Sequence, residues 1–323
     1  MSKPLQASGT FPVEVADVRA EALEVMKLEL RAVGGGQLPA FEPGAHLDVH
    51  LPNGIIRQYS LTNDWRERDR YVIGVGRAVD SRGGSSFVHG NVRTGTRLTI
   101  SAPINNFALD PAAERFLFIA GGIGITPIMA MIRWCAANAK PWRLIYAARS
   151  RQRAAFYEEL CALAGPGAQF HFDDEAGQVL DAAAAIAARS DGEWIYCCGP
   201  APLMDSVKAL TEHLPAGTVR FEWFTTPDDD EPRESSAFKV RLERSGTEFD
   251  VPEHKSILEV LEENGIEHPF SCREGLCGTC LTNVLSGEPD HRDYVLTDEE
   301  RASGKLMTIC CSRSKSPVLV LDL

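Results

Sequence analysis

Residues 271–281, SCREGLCGTCL, place three thiols at Cys272, Cys277 and Cys280, and a fourth stands near the C-terminus at Cys310. Four cysteine thiolates can hold two irons bridged by two sulfides, and Cys-x4-Cys-x2-Cys followed by a distant Cys is the plant-type ligand order for such a cluster. Gly275 and Gly278 suit the same loop, because residues without a Cβ let backbone N–H groups turn toward the sulfurs, where hydrogen bonds tune the reduction potential. A tetrahedral zinc site is the nearest alternative, but structural zinc usually takes two short Cys pairs, and one Cys-x2-Cys is present. Nine cysteines is an odd number and no secretory signal precedes them, so disulfides are not expected and the chain reads as cytoplasmic. Cys311 adjoins Cys310, and one of the two must be the fourth ligand.

A chain of 323 residues exceeds one ordinary hydrophobic core, so two or three domains are expected. The most apolar region, residues 116–132, is broken by Gly121, Gly122, Gly124 and Pro127, which argues for strand, turn and helix rather than a membrane span. A net charge of −12 opposes binding to nucleic acid, and no basic stripe interleaved with aromatics is present. From Ala237 onward there are 10 Lys and Arg against 16 Asp and Glu. The cysteine-bearing segment is thus disproportionately acidic, which suits either steering toward a basic protein partner or a solvated face.

Residues 11–30 and 45–51 alternate apolar and polar side chains as half-buried strands do, interrupted by Gly34-Gly35-Gly36 and Pro43-Gly44. Residues 71–77 and 97–100 continue the pattern, which predicts a small antiparallel β-barrel. Within it, Arg57-Gln58-Tyr59-Ser60-Leu61-Thr62-Asn63 presents a cation, an aromatic ring and hydroxyls on one strand, a set suited to a phosphorylated aromatic ligand. Arg82-Gly83-Gly84-Ser85-Ser86 opens a short helix through Phe87 and Val88, and small residues at a helix start make an anion site. Either segment alone would be read as packing or a turn; together they point to a phosphate-bearing ligand.

Near Pro103, strand and helix begin to alternate. The apolar run 116–120 reads as a strand covered on both faces, followed by Gly121-Gly122-Ile123-Gly124-Ile125-Thr126-Pro127 and a helix over 128–137. The spacing is not G-x-G-x-x-G, yet a Gly-rich turn feeding a helix N-terminus is the same physical device for a dinucleotide. Strands at 143–147 and 169–172 carry helices over 154–164 and 180–188. The strand 194–198 ends in Cys198-Gly199-Pro200 before a helix through 204–214, a second turn at the carboxyl end of a parallel strand. Cys198 there is either beside a substrate or a buried inert thiol, and Cys135, Cys161 and Cys197 read as core. Residues 221–224 close the sheet, and 225–236 read as a linker. Beyond it lie a hairpin over 238–251, a helix over 257–264 capped by Ser256 with Glu259, the cysteine loop and a last strand at 318–323.

Taken jointly, Arg57-x-Tyr59-Ser60-Leu61, Arg82-Gly83-Gly84-Ser85, the 121–127 turn, Cys197-Cys198-Gly199-Pro200, the cysteine loop and Asp290-His291-Arg292-Asp293 make the whole chain resemble the phthalate dioxygenase reductase family, which includes reductases of the vanillate demethylase type. The ending Cys310-Cys311-Ser312-Arg313 resembles the family's Cys-Val-Ser-Arg, which assigns the ligand to Cys310. The resemblance implies a multidomain chain: an antiparallel β-barrel flavin domain over 1–105, an α/β parallel-sheet NAD-binding domain over 106–226, a linker at 227–236, and a C-terminal α+β ferredoxin-like (β-grasp) [2Fe–2S] domain over 237–323. It implies that Arg57, with Arg82, Gly83, Gly84 and Ser85, meets an FMN phosphate. Gln58, Tyr59 and Ser60 would lie along the flavin, with the Ser60 hydroxyl near its reactive nitrogen and Gly74 and Val75 lining the ring. Gly121, Gly122, Gly124, Thr126, Cys198, Gly199 and Pro200 would bind NADH, and Phe224 would cover the flavin face that the nicotinamide must reach. No segment for an adenylate half of FAD is visible, which favours FMN. Arg149, Ser150 and Arg151 follow the second α/β strand, where basic residues can pair with a 2′-phosphate, so the residues leave NADPH open while the resemblance implies NADH.

A nicotinamide gives up two electrons as hydride and an iron–sulfur cluster accepts one at a time, so a flavin is needed between them. No acid–base catalyst is required. The resemblance implies, as client, the terminal component of a Rieske-type aromatic-ring or demethylating oxygenase. Two alternatives remain at this stage: an iron–sulfur redox sensor with two structural domains, and a reductase serving a hydroxylase without a Rieske centre.

Overall fold

Alternation in the N-terminal sequence becomes strands with one face turned inward in a computed structural model that describes residues 9–79, 81–164, 167–226 and 235–323. β1 (Thr10–Ala22) and β2 (Val25–Ala32) pair antiparallel and bury Val13, Val15, Leu28 and Leu30. β3 (His46–His50), β4 (Ile56–Ser60), β5 (Tyr71–Gly76) and, after the helix α1 (Gly84–Asn91), β6 (Arg97–Ser101) complete a six-stranded sheet in the order β4-β3-β6-β1-β2-β5. Its two end strands meet. Leu61 bridges to Ile73, and the Thr62 N–H donates to the Val72 carbonyl at 2.9 Å. Closure leaves no long open edge, which makes the sheet the expected antiparallel barrel.

The continuous apolar run at Phe116 to Ala120 is fully buried within β7 (Arg115–Gly121), as a strand between two helical layers must be. There follow α2 (Ile125–Ala137), β8 (Trp142–Ala148), α3 (Tyr157–Ala164), β9 (Ala168–Phe172), α4 (Asp173–Ala176), α5 (Ala182–Ala187), β10 (Glu193–Cys198), α6 (Ala201–Thr211) and β11 (Val219–Glu222). The five strands are all parallel in the order β11-β10-β7-β8-β9, so the winding reverses between β7 and β10, and a ligand crevice opens there.

Element ends depart from the sequence reading for local reasons. α2 begins at Ile125 rather than 128, because Pro127 falls in the first turn, where no intrahelical amide donor is needed. α3 begins at Tyr157 rather than 154, because Phe156 takes a φ of 58° and gives its N–H to Glu21 Oε1 at 3.1 Å. β11 ends at Glu222, so Trp223 and Phe224 lie beyond the sheet. Cys161, read as core, is exposed on α3.

Ala130 of α2 packs in the barrel core, and Val25 of β2 packs in the α/β core. The two layers form one compact unit, Met1–Glu222, and the division expected after residue 105 runs inside it. The second unit is Trp223–Leu323. Of the expected linker, residues 227–234 lie outside the described residues.

In the second unit, β12 (Phe238–Leu242), β13 (Glu248–Val251), α7 (Ile257–Glu263), β14 (Leu281–Ser286), β15 (Pro289–Asp290), α8 (Asp298–Ser303), β16 (Leu306–Thr308), β17 (Arg313–Ser314) and β18 (Val318–Leu321) follow in order. The main sheet runs β13-β12-β18-β14-β16, with β12 and β18 parallel and the other pairs antiparallel. α7 lays Ile257, Leu258 and Leu261 against Val240, Leu319 and Leu321, the α+β arrangement expected of a β-grasp domain. Ser256 and Glu259 close the expected capping box, with Ser256 N–H to Glu259 Oε2 at 2.7 Å and Glu259 N–H to Ser256 Oγ at 3.2 Å. Thr297 and Glu300 form a second box on α8 that the sequence reading passed over.

Loss of an N-cap side chain leaves helix-start amides without a partner and costs about 1 kcal/mol. Ser256→Ala is therefore expected to lower the unfolding midpoint of the second unit by ~4–8 °C; a calorimetric scan of the full chain checks it, and an unmoved midpoint would show the box to be idle.

Candidate functional site

β4 carries the cation of the barrel site, and α1 supplies the surface it meets. A Cβ built on Gly84 would stand 2.6 Å from both Cγ and Nε of Arg57, so only glycine lets this side chain cross the first turn of α1. Arg57 Nη1 donates to the Ile56 carbonyl at 2.8 Å and Nη2 to the Arg82 carbonyl at 3.2 Å. Among the described residues, these bonds go to carbonyls rather than a carboxylate, so the charge is not neutralised there. Gly83 caps α1 with a φ of 85° and no side chain, leaving the helix start to its backbone N–H groups. Ser85 Oγ holds the preceding loop, accepting from the Ala78 N–H at 3.2 Å and donating to Ser81 Oγ at 3.1 Å. Guanidinium and helix start together make a seat for a dianion.

The remaining barrel candidates divide. Tyr59 packs on the barrel core, and burial pushes its hydroxyl up to about 12, so it stays protonated. Ser60 is buried at the end of β4. Gln58 points elsewhere: its Nε2 donates to Asp48 Oδ1 at 3.0 Å and lies 3.2 Å from His46 Nε2, so its amide is engaged within the barrel wall. Val75 is buried on β5, and a Cβ on Gly74 would stand 2.9 Å from Thr126 Cγ2, so β5 touches the first turn of α2.

At the switch point, two turns meet backbone to backbone. A Cβ on Gly124 would stand 2.3 Å from the Cys198 carbonyl oxygen, and one on Gly121 would stand 2.5 Å from Pro200 Cδ. These two glycines, with Gly199, let the ends of β7 and β10 touch. Gly122 differs. It takes a φ of 54° and nothing lies within 4 Å of its would-be Cβ, so it is the position open to a ligand. Thr126 is buried and donates Oγ1 to the Ile123 carbonyl at 2.9 Å, bracing the turn.

Cys198 is buried, and burial first and the neighbouring Glu222 second push its thiol well up. Glu222 sits opposite it in the β10–β11 register. The residue is half-buried, but its Oε2 is shut off from solvent and has no hydrogen-bond partner among the described residues, and burial pushes the carboxyl up to about 8. Both groups are therefore neutral at pH 7. Sequence reasoning took 221–224 only as the closing strand and missed Glu222. Its signal was an acid in an apolar strand next to the Cys-Gly-Pro turn, and that adjacency exists only once β10 and β11 pair. Phe224 is 39% exposed and follows the division of the chain at Glu222.

In the second unit, the loop before β14 gathers the thiols. Cys277, Cys280 and Cys310 are buried and Cys272 is partly so. The Cys277 thiol, then the Cys310 thiol, hydrogen-bond to Cys272 and hold it down to about 3. Cys310 in turn is pushed up by its bonds to Cys272, then Cys280 and Cys311. The Glu274 and Leu276 N–H groups donate to Cys272 Sγ at 3.3 and 3.4 Å, and the Thr279 N–H donates to Cys277 Sγ at 3.4 Å. Amides turned at sulfur are the surroundings a thiolate-held cluster needs. Gly275, at a φ of 72°, leaves no room for a Cβ, which would stand 2.6 Å from Cys311 Sγ and 2.9 Å from Asp293 Cα. Cys311 also meets Thr308 Oγ1 at 3.2 Å. Among the described residues no three His, Cys, Asp or Glu side chains converge as round a single ion; a two-iron cluster asks only two thiolates of each iron. The donor set fits that cluster.

The motif Asp290-His291-Arg292-Asp293 supports this loop. Asp293 is buried and accepts from the Val295 and Leu296 N–H groups at 3.1 and 2.8 Å, while the Tyr294 N–H donates to the Gly275 carbonyl at 2.9 Å.

Comparison with known proteins agrees with both units. The family described as "2Fe-2S iron-sulfur cluster binding domain" matches residues 240–315, and "Oxidoreductase NAD-binding domain" matches residues 118–209. Tetrachlorobenzoquinone reductase of Sphingobium chlorophenolicum is 47% identical over 97% of this chain and 98% of its own. Phthalate dioxygenase reductase of Burkholderia cepacia is 41% identical over 98% of this chain and 99% of its own. A solved phthalate dioxygenase reductase, described as a modular structure for electron transfer from pyridine nucleotides to [2Fe–2S], superposes with a TM-score of 0.71 at 42% identity, covering 98% of each chain. No helix among the described residues is long and apolar enough to cross a membrane. With relatives above 40% identity along nearly its whole length, a phthalate dioxygenase reductase among them, the chain belongs to the phthalate dioxygenase reductase family.

Proposed function

We propose that this chain is the reductase component of a multicomponent Rieske-type oxygenase, taking hydride from NADH onto FMN and delivering single electrons through a [2Fe–2S] cluster to the terminal oxygenase. The observation that carries the reading is the presence of three distinct seats on one polypeptide: Arg57 over the start of α1, the touching turns of β7 and β10, and the four-thiol loop. A flavin bound between a nicotinamide and an iron–sulfur centre exchanges electrons in pairs on one side and singly on the other. The chain's own residues hold and insulate. Arg57 and the N–H groups of Gly84 and Ser85 would neutralise the flavin phosphate, and Gly122 would admit the dinucleotide to the crevice. Cys198 and Glu222, both protonated at neutral pH, put no negative charge at the end of β10, and a thiol held so far up is no nucleophile toward an oxidised ring. Cys272, Cys277, Cys280 and Cys310 would be the ligands, with backbone amides offsetting their charge.

A sensor would have no use for the paired turns at the switch point. A second reading, favoured by the 47% identity to tetrachlorobenzoquinone reductase, replaces the oxygenase with a quinone as acceptor. Turnover of the reduced protein with a quinone, against turnover with an oxygenase purified from the same host, separates the two.

Cys277→Ser is expected to abolish NADH-driven cytochrome c reduction and the visible absorption of the cluster while NADH still bleaches the flavin. Stopped-flow absorbance reads both, and loss of both steps in a folded protein would refute the order of transfer. Arg57→Ala removes a charge-assisted contact of about 1.5–3 kcal/mol, so FMN should bind ~10–100-fold more weakly in a fluorescence titration. The pH dependence of stability tests Glu222. A carboxyl raised from 4.5 to about 8 in the folded chain stabilises it fully below pH 4.5 and loses that contribution as pH rises through 8. The unfolding midpoint of the wild type should therefore fall relative to that of Glu222→Gln across this window; parallel curves would show the carboxyl to be ionised in the fold.

A further inference from the structure

The carboxyl end of β8 lies beside the Gly-rich end of β7, and in a sheet of this winding it is where the adenosine ribose of a dinucleotide is met. Arginine at that point ordinarily serves a 2′-phosphate, and here Arg149-Ser150-Arg151 follows β8. In the structure the Arg151 guanidinium directs three of its five N–H groups to partners within the fold. Nε and Nη2 donate to Glu175 Oε1 and Oε2 at 3.1 Å each, and Nη1 donates to the Tyr157 hydroxyl at 2.5 Å. Its Cζ lies 4.7 Å from the Phe172 ring centre and 5.2 Å from that of Tyr157. Every nitrogen of the fork has a partner, and two aromatic rings fix its orientation.

Glu175 comes from α4, directly after β9, in the run Asp173-Asp174-Glu175. The Asp174 N–H donates to the Arg149 carbonyl at 3.2 Å, so the ends of β8 and β9 are tied together and the acids are held at this corner. Arg151 and Glu175 are both half-exposed, and an incoming ligand can reach them. A 2′-phosphate carries about two negative charges at neutral pH. It would meet the acids of the Asp173-Asp174-Glu175 run and an arginine whose Nε/Nη2 fork is already paired with Glu175. A 2′-hydroxyl is neutral and can donate to a carboxylate that has lone pairs to spare.

We propose that Glu175 sets the preference for NADH over NADPH, by occupying the Arg151 fork that a 2′-phosphate would need. The inference rests on reading the β7–β10 crevice as the nicotinamide dinucleotide site. It assigns selectivity to an acid on α4, just after β9, that cancels an arginine just after β8.

The test measures flavin reduction in the holoprotein by NADH and NADPH, together with competitive inhibition by 5′-AMP and 2′,5′-ADP. The proteins are the wild type, Glu175→Gln and the double variant Glu175→Gln/Arg151→Gln. Releasing the fork should raise the ratio of kcat/KM for NADPH over NADH by about tenfold or more, the size of one charge-assisted hydrogen bond. The gain should appear in KM, with tighter 2′,5′-ADP inhibition that weakens as salt rises. The double variant should lose it. A Glu175→Gln ratio equal to that of the wild type, or a gain that survives in the double variant, would overturn the proposal. A wild type whose flavin neither nucleotide bleaches would overturn the reading of the crevice itself.

Discussion

The first unit depends on one steric constraint: the ends of β7 and β10 touch through backbone atoms, with Gly124 beneath the Cys198 carbonyl and Gly121 against Pro200. Any Cβ at either position would force the two strands apart at the point where the sheet reverses direction. The same contact turns Gly122 outward, and it brings the first turn of α2 up to Gly74 on β5. The crevice and its junction with the barrel thus follow from one close approach. The glycines at 121 and 124 serve the protein's own packing first, and their effect on a dinucleotide is indirect.

A second constraint is electrostatic and is answered differently in each seat. In the crevice, burial keeps Cys198 and Glu222 protonated, so a region that must accept a mobile negative charge is itself uncharged. In the barrel, the start of α1 and Arg57 provide positive potential, and among the described residues the guanidinium bonds to carbonyls rather than to a carboxylate. In the cysteine loop, negative charge is wanted on sulfur, and three backbone amides are turned to meet it. Among the described residues, none of these settings relies on a salt bridge. Backbone amides are fixed by the chain path, so the charge environment of each seat is as rigid as the fold around it.

The sequence was informative where function is local. The cysteine loop, both glycine turns, the Arg57 strand and the Ser256 box are each contiguous, and each can be read from residue type and spacing. What escaped it depends on register and on the third dimension. Glu222 acquires a role only by standing opposite Cys198 across two strands far apart in sequence. Gln58 sits between Arg57 and Tyr59 in the chain, but strand alternation sends its amide to Asp48 on β3 instead. The starts of α2 and α3 moved because of a tolerated proline and a left-handed Phe156, features that periodicity does not encode. Cys161 fits an apolar helical pattern and is nevertheless exposed, since α3 is short and covers the sheet through Leu160.

Seats built from backbone have a consequence for how such a chain can vary. Gly84, Gly122, Gly124 and Gly275 work through the side chain they lack, so they admit almost no substitution. The groups proposed to choose between ligands are instead exposed side chains at a rim, such as the Arg151–Glu175 pair at the corner of β8 and β9. On that proposal, changing this pair would alter which molecule is preferred without disturbing the close approaches at Gly84, Gly124 and Gly275, which involve neither side chain. Relatives above 40% identity carry names for oxygenase reductases and for a quinone reductase, as expected if electron handling resides in backbone geometry and choice of partner in exposed side chains.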